Sequence, residues 1–148
     1  MSPLVFAIAH HLLVFSLVAV LAAEAGLVRR GMTAADVARV SRIDAMYGLL
    51  AAVIIAVGFS RAIWGAKGWD YYASNPWFHA KMAAFLVVGV LSIPPTVRFI
   101  RWRRAQKAGT MDAPADLEVA RVRRWFYLQA VFLALVPAFA AGMAGWGQ

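Results

Sequence analysis

Residues 4–28 read LVFAIAHHLLVFSLVAVLAAEAGLV, hydrocarbon or small side chains interrupted only by two histidines, a serine and one glutamate. About 20 mainly apolar residues, rising ~1.5 Å each, cross the hydrocarbon of a bilayer as one helix. Three further runs of this kind cover about residues 43–63, 76–98 and 117–143. With a short interfacial helix near 33–42, they occupy nearly the whole 148-residue chain. The fold class expected is therefore all-α: an integral membrane four-helix bundle forming a single transmembrane domain over residues 1–148. A hydrophobic content of 63% agrees with this, since a soluble domain has roughly 45–50% apolar residues.

The segments carry their own punctuation. No lysine or arginine precedes the first run, which argues against a cleaved secretory signal despite the Ala23-Glu24-Ala25 pattern. Gly31 reads as a stop, and Thr33 as an N-cap with Asp36 at the third helical position. Val37, Val40 and Ile43 then fall at helical spacing, as expected of an amphipathic stretch at headgroup level. In the second span Tyr47, Ala51, Ile54, Gly58 and Arg61 form one stripe, small in its middle, which lets a helix or a flat ligand approach. Pro76 suits a first helical turn, whereas Pro94 and Pro95 should kink or end the third span. Pro137 falls past the midpoint of the fourth.

Cysteine is absent, which removes disulfides, iron–sulfur clusters and covalent haem attachment. The net charge of +8 does not point to nucleic acid, because the basic residues sit at span ends. Arg29, Arg30, Arg39 and Arg42 lie in the first connection. Eight more, from Arg98 to Arg124, lie in the third. The second connection has only Arg61, Lys67 and Lys81 at its margins, and the two ends of the chain have none. Basic residues at helix ends are how inner (cytoplasmic) membrane proteins set their orientation, and the positive-inside rule then puts both termini and the second loop outside, in the periplasm for a Gram-negative cell.

That topology brings all three histidines, His10, His11 and His79, into the outer leaflet, beside the three cations that break the charge bias. Residues 67–81, KGWDYYASNPWFHAK, add five aromatics. Interfacial Trp and Tyr form an ordinary aromatic belt, and lysines commonly snorkel to lipid phosphate. Imidazoles on facing helices are also the usual axial ligands of b-type haem, and guanidinium or ammonium groups pair with its propionates. The expected cofactor site is thus His10 or His11 with His79 as metal ligands, and Arg61, Lys67 and Lys81 around them. His10 and His79 are the preferred metal pair, because His10 shares a helix face with Glu24 and His11 points away. Glu24, close to Arg29 and Arg30, reads as a structural ion pair, as does Asp44 with Arg42. Gln129 reads as interhelical packing glue.

Several stretches also resemble a bacterial inner-membrane family described as a predicted membrane protein of unknown function. They are His10-His11 with Glu24, the run from Ser41-Arg42-Ile43-Asp44 to Tyr47-Gly48, Gly58 with Arg61, Lys67-Gly68, and Tyr71-Tyr72. Asn75-Pro76, Phe78-His79-Ala80-Lys81 and Leu91-Ser92-Ile93-Pro94-Pro95-Thr96 belong to the same set. A more limited resemblance is to HemJ-type protoporphyrinogen oxidases. It rests on an early first-helix histidine and on Trp77-Phe78-His79-Ala80-Lys81 opening the third span. The Trp and Gly of that family after the first histidine are missing here. This second resemblance implies haem b and an oxidoreductase that takes electrons from a porphyrinogen and passes them to quinone. The contrasting expectation is a non-enzymatic accessory subunit, in a homo-oligomer or a larger membrane complex. A transporter is less expected, because the four spans have no internal repeat.

Overall fold

A computed structural model describes residues 3–64 and 67–145, and within these the chain is helical with short connections. The helices are α1 (Pro3–Leu27), α2 (Ala34–Trp64), α3 (Gly68–Ser74), α4 (Pro76–Lys107) and α5 (Asp116–Ala144). All except α3 are long and apolar enough to cross a membrane. The protein is a membrane four-helix bundle. Its two ends are called below the α3 end and the arginine end.

The boundaries follow local chemistry. Gly31 takes φ +73°, a left-handed conformation open to glycine at little cost, and so breaks the chain away from α1. Thr33 and Asp36 then form a reciprocal cap: Asp36 N–H donates to Thr33 Oγ1 at 3.2 Å, and Thr33 N–H donates to Asp36 Oδ2 at 3.0 Å. The stretch expected as a separate interfacial helix is continuous with the second span, because nothing after Thr33 interrupts the helical ladder. Thr33→Ala is expected to lower stability by about 1 kcal/mol, the usual worth of such a cap, read as a lower thermal unfolding midpoint. Asn75 caps α4 by accepting from Trp77 N–H at 3.0 Å, with Pro76 in the first turn. Pro94 and Pro95 do not end α4, which runs on to Lys107. Membrane helices tolerate proline where neighbouring helices and hydroxyl side chains satisfy the freed backbone groups.

Short connections make α1/α2 and α4/α5 antiparallel hairpins. The hairpins join through α2 and α4, whereas α1 and α5 meet far less. Much of the buried core lies toward the arginine end: Val28, Met32, Val37, Val40, Phe99, Trp102, Val119 and Val122 are all nearly inaccessible. Two polar fastenings reinforce it. Glu118 accepts from Arg98 at 2.8 Å and from Trp102 Nε1 at 2.9 Å, tying α5 to α4. Arg123 donates to the Val28 carbonyl at 2.7 Å, satisfying an acceptor left over at the end of α1. By contrast α1 turns Leu4, Ile8, Leu12 and Phe15 outward, each more than half exposed, as suits a lipid-facing stripe.

At the α3 end the contacts are aromatic. Trp69 stacks on Phe59 and meets Phe78 edge-on, and Trp77 packs on Phe139 of α5. A Cβ at Gly142 would come within 2.8 Å of the Trp77 indole. Gly142→Ala should therefore cost about 1–3 kcal/mol, the usual penalty of overpacking. Pairing it with Trp77→Leu should recover most of the loss in the unfolding midpoint.

Candidate functional site

Since α1 and α5 diverge away from their Arg123 fastening, a groove of about 1000 Å³ opens between them. Its walls are hydrocarbon over most of their length. From α1 come Val14, Val18 and Leu21, and from α5 the small face Ala130, Ala134 and Ala141 with Pro137. Arg123 and Tyr127 stand at one end. At the other, His10 of α1, Arg61 of α2 and Lys81 of α4 converge from three helices.

His10 is the best-placed of the three histidines for chemistry in the groove. Its ring lies against Gly58, whose missing side chain leaves room for the imidazole on α2: a Cβ built there would be 3.5 Å from His10 Cε1. Its Nδ1 is buried without a hydrogen-bond partner among the described residues. His11 also lines the groove, but its Nδ1 contacts the Ala7 carbonyl at 2.7 Å and its side chain is exposed. Arg61 and Lys81 are electrostatic neighbours of His10. Lys81 also rests over the Phe78 ring at 5.5 Å.

His79 and Lys67 do not line this groove. The His79 ring is exposed and turns to the end of α3, its Nε2 2.8 Å from the Ala73 carbonyl. Lys67 lies over the Tyr71 ring and donates to the Tyr71 hydroxyl at 3.0 Å. Tyr71 in turn donates to the Met143 carbonyl at 2.8 Å, tying α3 to the end of α5. Of the six candidate residues read from the sequence, His10, His11, Arg61 and Lys81 therefore share one cavity, while His79 and Lys67 stand apart from it.

The ion pairs expected for the acids of the first two spans are not formed among the described residues. Glu24 is 1% exposed and faces the Asp44 side of α2 rather than Arg29 and Arg30. Asp44 accepts from the Thr96 hydroxyl of α4 at 2.8 Å instead of pairing with Arg42. The physical reason is direction: helical phase turns both carboxylates into the bundle, while Arg29 and Arg30 are exposed beyond its end. One sequence signal does mark this arrangement. His10 and Glu24 have the same separation along α1 as Asp44 and Gly58 have along α2. An antiparallel register that seats His10 on Gly58 thus brings Glu24 to Asp44.

These features define a class: a polytopic helical membrane protein with a laterally open apolar groove that is cationic at the α3 end. The chain belongs to the predicted membrane protein family DUF2214, whose profile matches residues 2–147. No curated protein and no solved structure matches it.

Proposed function

We propose that the groove holds a flat, apolar-bodied molecule bearing carboxylates, and that this molecule is b-type haem. What carries the reading is the convergence of His10, Arg61 and Lys81 on one end of a cavity whose long walls are mainly hydrocarbon. The residues fit the group in three respects. His10 lines the groove, and imidazole is a common protein ligand of haem iron. Arg61 and Lys81 match the two propionates in charge. The alanine face of α5 allows a planar ring to approach closely. His79 lies outside the groove, so the reading assigns one protein ligand, His10, in place of a His10–His79 pair. Haem, when bound, supplies one-electron exchange, and an oxidoreductase using porphyrinogen as donor and quinone as acceptor is the activity proposed for it. In this reading the α3 end faces the periplasm of the inner membrane, since the opposite end carries most of the arginines.

The test is an absorption spectrum of protein purified from cells supplied with haem, oxidised and then reduced with dithionite. A Soret band that shifts on reduction supports the reading, and its absence overturns it. A second reading has its own observation: the groove extends along α1 from His10 to Gly26, about 24 Å, and suits a long hydrocarbon tail. The occupant would then be a membrane amphiphile held by a non-enzymatic accessory subunit. Mass spectrometry of the purified protein would find that amphiphile in stoichiometric amount and no haem.

A further inference from the structure

On the other side of α1 from the groove, the bundle interior contains polar groups that the proposed function does not use. Glu24 from α1, Asp44 and Tyr47 from α2, Thr96 from α4 and Gln129 from α5 all project inward. Glu24 and Gln129 are each 1% exposed, and Tyr47 is 3% exposed. The two carboxylates are close enough to repel each other, and the Tyr47 side chain lies within electrostatic reach of both. The single Thr96 hydroxyl proton has two acceptors in reach, Asp44 Oδ1 at 2.8 Å and the Ser92 carbonyl at 3.1 Å, and its oxygen can also accept. Gln129 stands one turn from Phe126, the same step that separates Thr96 from Phe99. Phe99 and Phe126 stack across the antiparallel pair, so Gln129 lies at the level of Thr96.

The charge balance of this cluster is incomplete. Neither Glu24 nor Asp44 has a basic partner among the described residues, where the ion pair formed is Arg98 with Glu118. Glu24 Oε1, the Tyr47 hydroxyl and both amide atoms of Gln129 are buried without hydrogen-bond partners. Two uncompensated carboxylates in a membrane interior are costly, and so is each orphaned polar atom beside them. Packing glue would pair these groups with one another. Here Glu24 Oε1, the Tyr47 hydroxyl and the Gln129 amide remain unpaired, and the cluster draws on four helices.

We propose that Glu24, Asp44, Tyr47, Thr96 and Gln129 form an internal site for a monovalent cation, held by oxygen ligands and offsetting one of the two acid charges. A proton and a sodium ion share this chemistry, and the experiment separates them. Full-length protein in lipid nanodiscs is unfolded thermally in NaCl, KCl and choline chloride at equal ionic strength. Its infrared spectrum is recorded in water and in D2O at neutral pH. A sodium site raises the unfolding midpoint in NaCl over choline chloride, and the rise disappears in Glu24→Gln. A proton site gives no such ion dependence. It shows instead a carboxylic-acid C=O band that moves in D2O and is lost or displaced in Glu24→Gln or Asp44→Asn. Unfolding that is indifferent to the cation, together with no protonated-acid band, would overturn the proposal. Both primary measurements use the unaltered chain, so they decide the matter even where a variant does not fold.

Discussion

Phe99→Ala is expected to be the most destabilising single truncation in the bundle, by about 3–5 kcal/mol. Phe99 is 1% exposed, stacks on Phe126 of α5 at 6.4 Å and packs on Trp102 at 5.7 Å. In a bilayer, lipid tails are as apolar as the side chain, so little of this energy comes from leaving water. It comes from dispersion contacts and from the cavity left when the surroundings cannot close. The position is where collapse is hardest. Glu118 and Arg123 fix α5 to both neighbouring helices at this end, and a void between fixed helices stays open. Midpoints of thermal unfolding in nanodiscs would read the loss, with Phe99→Leu losing less than half as much. A Phe99→Ala midpoint close to that of the unaltered protein would mean that the α3 end, rather than the arginine end, holds the bundle together.

The second large effect is spectroscopic. His10→Ala is expected to abolish the Soret band of haem-supplied protein, while His79→Ala leaves most of it. The two histidines differ in what surrounds them. His10 lines a cavity shared with Arg61 and Lys81. His79 spends its Nε2 on the end of α3 and faces outward. If the band survives in His10→Ala and disappears in His79→Ala, the ligand assignment is reversed and the groove is not the haem site. Arg61→Ala with Lys81→Ala should retain the ligand but lower haem retention through purification, because the propionates lose their counter-charges.

The bearing of these variants on one another is limited by distance. His10 and Glu24 are separated by about 21 Å along α1. A His10 variant that loses haem should therefore keep any cation effect at Glu24 and Asp44. Loss of both together would indicate general unfolding of the α1/α2 hairpin, rather than failure of either site.

Much of the architecture follows from the chain alone. Four runs of about 20 apolar residues admit one solution in a bilayer, since each backbone polar group there must be satisfied within its own helix. The Thr33–Asp36 cap was equally legible, because capping depends on residues three apart and on nothing distant. So was the inward stripe from Tyr47 to Arg61, whose phase is set by helical periodicity, with Tyr47 and Ile54 buried on it. The family resemblance, too, could be read from local motifs across nearly the whole chain.

Only the tertiary structure decided which of those faces meet. Depth in the membrane put His10 and His79 at one level, but depth does not fix rotation. A helix's rotation comes from packing with neighbours far away in sequence. That packing turned His10 into a groove between α1 and α5, helices at opposite ends of the chain, and left His79 against α3. The same cause redirected Glu24 and Asp44. Sequence proximity pairs them with Arg29, Arg30 and Arg42, but side chains near in sequence need not point the same way. The antiparallel register of α1 and α2 aimed both acids inward, toward Tyr47 and Thr96.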